Sequence, residues 1–254
     1  MKIAIMQPYL FPYIGYFQAI TAVDKYILYD NVFFMKKKWL NRNRHLLKNG
    51  DSYYFNAPLK KMSSFKKIYE IDLIDDDKWR KQVLKSIFYN YKKAKYFDDV
   101  YPLIEYVINY PTKKLTELNF LSIKSVCDYL NIKTEIRVNC ALFNDMEIRL
   151  SSENINKDDF PDLNLIHWQR KVVRILEICK KERADIYINA IGGIDLYSKE
   201  EFMQNGIDLK FIKTAHIEYK QFDKYFVSNL SIIDVIMFNS PEEVIGLLNE
   251  YEFV

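Results

Sequence analysis

The densest run of chemically useful side chains lies near the start: Gln7-Pro8-Tyr9-Leu10-Phe11-Pro12-Tyr13-Ile14-Gly15-Tyr16-Phe17. Gln7 supplies an amide and Tyr9, Tyr13 and Tyr16 supply phenols on apolar rings, while two prolines stiffen the backbone, a set suited to orienting a sugar or another ring. The same aromatics would serve equally as core. Gly15 either admits close approach of backbone or ligand or is simply tolerated within a short helix. A second run, Lys36-Lys37-Lys38-Trp39-Leu40-Asn41-Arg42-Asn43-Arg44, falls in a stretch from Asn31 to Tyr69 with eight Lys and two Arg against Asp51 alone, a local charge of +9. The whole chain carries +3, so the remainder sums to −6. If residues 40–47 are extended, Asn41 and Asn43 share one face and Arg42 and Arg44 the other. Arginines two apart suit bidentate phosphate recognition, and Lys37 and its neighbours add point charge. The structural alternative leaves the lysines solvated and pairs Asp30 with Arg42.

Composition narrows the chemistry further. The 254 residues hold 20 Tyr, 17 Phe and 3 Trp against 6 Gly and 7 Pro, with 49% apolar and 28% charged residues, which is globular usage rather than disordered or membrane-spanning. Glycine at 15, 50, 192, 193, 206 and 246 leaves no G-x-x-x-x-G-K-[ST] loop and no G-x-G-x-x-G. Walker-type and dinucleotide-fingerprint readings are excluded. Cys127, Cys140 and Cys179 have neither metal-site spacing nor the even number of a disulfide framework, pointing to a reducing cytoplasm. The short apolar start reads as a buried strand rather than a signal peptide, and no uncharged apolar stretch is long enough to span a membrane.

The elements that must position these residues follow from periodicity. Residues 2–6 read as a strand, Pro12–Ala22 as a helix and Lys25–Tyr29 as a strand, the opening of an open α/β sheet whose ligands bind beyond the carboxyl ends of its strands. That predicts a site at the 7–11 loop and after Asp30. Residues 40–47 and 52–57 suggest a hairpin through Asn49-Gly50. A strand at Tyr69–Ile74 is expected next, then helices with apolar stripes at Trp79, Val83, Ile87, Tyr91 and at Phe120, Ile123, Cys127, Leu130. Thr134–Asn139 alternates as a strand, and the polar segment 144–164 reads as a linker or mobile loop. A helix at 168–182 should bury Val172, Ile175, Leu176 and Cys179 and turn Arg170, Arg174, Glu177 and Lys181 outward. A strand at 185–190, a helix near 199–204, a strand at 207–212 and two capped helices, Ser231-x-x-Asp234 and Ser240-Pro241-x-Glu243, complete the chain. The predicted fold class is α/β: an open Rossmann-like sheet with a β-hairpin insertion and a largely helical middle and C-terminal portion. Stretches 1–76, 77–132 and 133–254 would form one domain.

The 7–17 run, Tyr29-Asp30-Asn31-Val32 and Lys37-Lys38-Trp39-Leu40-Asn41-Arg42-Asn43 resemble the hallmark of WbqC-like proteins. So do Tyr187-Ile188-Asn189, Tyr197, Phe202, Gly206-Ile207, Tyr219-Lys220-Gln221, Leu230 to Asp234 and Phe238-Asn239, so the likeness spans nearly the whole chain. Ala190-Ile191-Gly192-Gly193 departs from the family's small-residue run. The resemblance implies a role in bacterial surface-polysaccharide (O-antigen) assembly, with transfer of glycine or another acyl group onto an amino sugar. Its partners would be a nucleotide-linked amino sugar and a thioester donor, either coenzyme A or the phosphopantetheine of an acyl carrier protein; no tightly bound cofactor or metal is implied. Gln7, Tyr9, Tyr13, Tyr16, Lys37, Trp39, Asn41, Arg42, Asn43, Asn189 and Tyr197 are the expected binding residues.

Amide formation from a thioester needs a neutral amine, a route for its proton and donors for the developing oxyanion. The expected base is Asp30 at its strand end, His167 at the mouth of the 168–182 helix, or His216 after a strand; His45 sits amid like charge on the hairpin. Asp234 is assigned to helix capping. Cysteine chemistry is the weaker option, since Cys127 and Cys179 fall on apolar stripes, leaving Cys140. Two rivals stand beside this reading. One is a nucleotidylyltransferase-like enzyme, although Tyr13-Ile14-Gly15-Tyr16 stands where H-x-G-H would be. The other is a nucleic-acid-binding module, disfavoured because the excess charge is confined to one segment.

Overall fold

Alternating apolar residues in the opening strand set the architecture. In β1 (Lys2–Met6), Ile3 and Ile5 point to one face of a sheet and Ala4 to the other, and β2 (Lys25–Leu28) repeats the division, Ile27 on the first face and Tyr26 and Leu28 on the second. Both faces are therefore covered. The computed structural model describes residues 1–36, 38–138, 140–152, 163–222 and 225–254, without the side chains of 140, 151–152 and 163–169.

The helix α1 (Ile14–Thr21) carries β1 over to β2, after which the chain leaves the sheet. It forms the hairpin β3 (Arg42–Leu46) and β4 (Ser52–Asn56), turned at Gly50 with φ +84°, and the short pair β5 (Leu59–Lys60) and β6 (Asp72–Leu73). The helices α2 (Asp77–Tyr91), α3 (Phe97–Asn109) and α4 (Leu115–Tyr129) follow. The chain rejoins the sheet as β7 (Glu135–Arg137) beside β2, then crosses through α5 (Asn144–Ser152) and α6 (Leu163–Glu182) to β8 (Ile186–Ala190) on the far side of β1. Next come α7 (Lys199–Gln204), β9 (Asp208–Thr214), α8 (Ile232–Phe238), α9 (Pro241–Leu248) and an antiparallel edge strand β10 (Tyr251–Phe253).

The sheet order is β10-β9-β8-β1-β2-β7, parallel except at β10. The connections run from β1 to β2 in one direction with α1 on one face, and from β8 to β9 in the other with α7 on the opposite face, as right-handed crossovers require. The order thus reverses between β1 and β8. A crevice at the carboxyl ends of such strands is where doubly wound sheets bind ligands. Residues 7–11, 29–30, 138, 191 and 215–216 all emerge there.

Three expectations change. Segment 144–164 begins as helix α5, because Met146 and Leu150, four residues apart, are buried against α6 beneath an otherwise polar surface; residues 153–162 lie outside the described residues. The strand expected at 69–74 is a 3-10 turn at Ile68–Glu70 and two paired residues, since Ile68, Ile71 and Leu73 all face one core. The strand β10 went unpredicted, three residues being too short for a period. Among the described residues no helix is long and apolar enough to cross a membrane.

Candidate active site

The loop after β1 is held residue by residue. The Gln7 carbonyl accepts from the Tyr16 hydroxyl at 2.9 Å, and Asn119 Nδ2 donates to the Pro8 and Leu40 carbonyls, both at 2.8 Å. Phe11 adopts φ +41°, a left-handed conformation rare for a bulky side chain. Three distant residues hold it there: Ser122 Oγ accepts from its N–H at 3.1 Å, while Asn43 Nδ2 and Ser231 Oγ donate to its carbonyl at 2.6 and 2.7 Å. Such strain costs about 1–3 kcal/mol and persists only where the surroundings over-determine it. Tyr16 and Asn43, both buried, are therefore supports of the loop, the Tyr16 hydroxyl and Asn43 Nδ2 bonding its backbone while Asn43 Oδ1 accepts from the Arg44 N–H. Asn43→Ala is expected to lower stability by about 1–3 kcal/mol, because it unpairs the half-buried Arg44 N–H and weakens the buried hold on Phe11; a urea midpoint lowered at constant m would register it.

Two cavities open on either side of this loop. The larger, of about 630 Å³, sits over the ends of β1 and β2 on the α5–α6 face, with Gln7, Tyr29, Lys67, Glu147, Arg174 and Tyr197 among its walls, together with Arg170 and Lys171. Four cations thus face one carboxylate. Glu147 is 4% exposed and organises two of them: its oxygens accept from the Tyr29 hydroxyl, from Arg174 Nε and from Arg174 Nη2 at 2.9 Å, and Lys67 Nζ stands 3.8 Å away. Burial alone would lower the Arg174 guanidinium, but the Glu147 carboxylate overcomes it and holds the group above its ordinary value. Desolvation likewise raises the Tyr197 phenol, with Arg174 opposing, so it remains a donor at neutral pH.

The second cavity, of about 340 Å³, is walled by Tyr9, Tyr13, Trp39, Arg44 and Asn229, with Pro12 and Asn43 beneath. Trp39 stacks on Tyr54 with centroids 6.1 Å apart, and the Arg42 guanidinium lies 5.1 Å from the Tyr54 ring and 6.0 Å from Trp39. Arg44 donates to the Asn229 carbonyl at 3.0 Å. The hairpin arginines are thus engaged with aromatic rings and backbone rather than converging as a phosphate clamp. Asn41 donates to the Ala57 carbonyl at 2.8 Å and closes the base of the hairpin. Lys37 lies outside the described residues.

The other expected residues are dispersed along the same edge. Tyr29 and Asp30 alternate across the sheet, so Asp30 lines a separate cavity of about 280 Å³ with Pro8, Glu117, Phe120 and Val138. His216 follows β9, its side chain 87% exposed and 3.7 Å from Glu218, in a cavity of about 270 Å³ shared with Tyr13. His167 belongs to α6, one turn before Arg170, and its side chain is outside the described residues. Asn189, at the end of β8, accepts from the Ala190 N–H at 2.9 Å and packs on Gly193, where a Cβ would come 2.2 Å from its Nδ2. His45 is fully buried between the Leu46 carbonyl and Ser86, and desolvation lowers its proton affinity. The Cys127 and Cys179 thiols are pushed up by burial to about 12, far from a reactive thiolate.

Two assignments are overturned. Arg170 and Arg174 were expected to face outward from α6; the apolar stripe of that helix is buried as predicted, but the two arginines flank it at i, i+4 and turn into the large cavity. Asp234 does not cap α8, a task met by Ser231, whose Oγ accepts from the Ile233 N–H at 3.3 Å. Asp234 is instead fully buried, accepting from Tyr91 and Tyr219 hydroxyls at 2.6 and 2.7 Å and from Gln221 Nε2 at 2.6 Å, and desolvation raises it to about 6. It ties the segment after β9 to α2. Sequence reasoning also missed Lys67, Glu147 and Lys171; the one local signal was the Arg170, Lys171, Arg174 spacing on a single helix.

An uncharacterized protein of Mycobacterium tuberculosis, Rv1507c, is 25% identical over 246 residues, covering 95% of both chains. No solved structure matches the chain. The match to the WbqC-like protein family extends over residues 7–245, from the loop that separates the two cavities into helix α9, and the chain belongs to that family.

Proposed function

We propose that this protein is an N-acyl- or aminoacyltransferase that moves a glycine-type acyl group from a thioester donor onto the amine of a nucleotide-linked amino sugar in surface-polysaccharide assembly. The observation that carries the reading is the large cavity at the reversal of strand order, which Lys67, Arg170, Lys171 and Arg174 line together with the buried Glu147. Clustered cations in a partly desolvated crevice favour a diphosphate, and Arg174 is already fixed in place by its two-point contact with Glu147. Glu147 serves as a positioning residue, since its oxygens are committed to Tyr29 and Arg174.

In the transfer the amine nitrogen bonds to the thioester carbonyl carbon, the C–S bond breaks, and the departing thiolate takes up the proton that the amine loses. The Gln7 amide and Tyr197 phenol would donate to the developing oxyanion. Asp30 and His216 open onto neighbouring cavities of the same edge and offer alternative routes for the proton. Incubation with a nucleotide-linked amino sugar and an acyl or glycyl thioester, of coenzyme A or of a carrier protein, is expected to release thiol and raise the sugar's mass by one acyl group. Pyrophosphate release from a nucleoside triphosphate and a sugar phosphate, with no amide formed, would contradict it.

A further inference from the structure

We infer that the aromatic cavity beside the 7–13 loop is a separate compartment for a sugar ring, partitioned from the cationic cavity that takes phosphate. The choice of a sugar rests on the function proposed above; the partition rests on geometry. Gln7 lines the cationic cavity and Tyr9 the aromatic one, and two residues of extended chain span at most about 7 Å, so one extended ligand can reach both. The wall between them is the stiff loop, fixed through Gln7, Pro8 and Phe11 by the side chains of Tyr16, Asn43, Asn119 and Ser231.

The two linings differ in chemistry. Four cations face the first cavity, whereas the second presents Arg44 alone among the faces of Tyr9, Tyr13 and Trp39. Aromatic faces pack against the C–H face of a pyranose, and phenols serve its hydroxyls. Desolvation raises both the Tyr9 and Tyr13 hydroxyls, which keeps them protonated and able to donate. Tyr13 is 38% and Trp39 39% exposed, so each ring meets the opening.

The seat of Tyr13 is built. A Cβ at Gly15 would stand 2.5 Å from Tyr13 Cε2 and 2.7 Å from Thr214 Oγ1, so the ring occupies the space a side chain would take. The clash is with side-chain atoms rather than backbone. Gly15→Ala is therefore expected to fold and to displace the ring, testing the compartment without deleting any of its groups.

The probes are glucosamine and UDP, followed through the intrinsic fluorescence of Trp39, one of three tryptophans in the chain. Glucosamine is expected to change the emission of the wild type and of UDP-saturated protein alike, and to leave Trp39→Phe unchanged. Tyr13→Ala and Gly15→Ala should weaken glucosamine roughly tenfold while UDP affinity stays within about twofold; Lys171→Ala should do the reverse. The partition is overturned if UDP abolishes glucosamine binding or if Tyr13→Ala weakens both probes equally. Amide formation by wild-type protein that shows no glucosamine response would sink the compartment and leave the transferase reading standing. Glucosamine binding without any amide formation would do the opposite.

Discussion

Glu147→Ala is expected to destabilise the protein by about 3–5 kcal/mol, the cost of leaving a buried charge without its partner. Arg174 and Lys67 have side chains only 20% and 19% exposed, and both face the Glu147 carboxylate. The Tyr29 hydroxyl loses its acceptor as well. Because Glu147 lies on α5, Arg174 on α6 and Tyr29 just beyond β2, the loss should loosen the docking of both helices on the sheet. A urea titration would show a midpoint lowered at unchanged m. Glu147→Gln, which keeps one acceptor oxygen and removes the charge, should fall between wild type and alanine. An alanine variant with wild-type stability would show that Glu147 does not organise the cavity.

The second large effect is expected at Asp234. Removing its carboxylate by Asp234→Ala strands three buried donors, Tyr91, Tyr219 and Gln221, at about 1–3 kcal/mol each unless a hydroxyl re-pairs. Its pH signature is more specific. The ordinary aspartate value of 3.8 is raised to about 6 in the folded protein by desolvation, so the native state holds a proton that the unfolded chain has lost. Stability from this group is full below about pH 4 and declines as pH rises to about 6, by roughly 3 kcal/mol. Exposed carboxylates such as Asp72 and Glu243, held below their ordinary values by Lys114 and by the Ser240 N–H, slope the opposite way. The informative quantity is thus wild type minus Asp234→Asn, whose permanently neutral amide cannot titrate. That difference should fall between pH 4 and 6; parallel curves would contradict the assignment.

Much of the scaffold could be read from local pattern. The parallel strands announced themselves by short apolar runs, the hairpin by Asn49-Gly50, and α9 by the Ser240-Pro241-x-Glu243 box, whose reciprocal bonds are formed. The expectation that ligands bind beyond the first strand rested on the same α/β alternation. What escaped is the convergence of charge. Lys67 comes from the excursion after β2, Glu147 from a helix whose two buried apolar residues are diluted by polar neighbours, and Arg174 from a face that looks solvent-directed until α5 packs beside it. None of these proximities has a local periodicity, because each depends on segments 27 to 107 positions apart meeting over one strand end. The hairpin arginines show the converse case. Their alternation was legible, but the rings of Trp39 and Tyr54, which engage Arg42, became neighbours only through pairing of β3 with β4.

The central claim is that the cationic cavity over β1 and β2 receives the diphosphate of a nucleotide-linked amino sugar. Calorimetric titration of a UDP-linked amino sugar into wild-type, Arg174→Ala and Lys171→Ala protein tests it most directly. A charge-assisted hydrogen bond contributes about 1.5–3 kcal/mol, so Arg174→Ala should weaken binding by roughly tenfold to a hundredfold. Lys171 is exposed and its replacement should leave the fold intact, with a smaller loss of affinity that disappears in high salt. Equal affinity in all three proteins, or no binding by the wild type, would contradict the account.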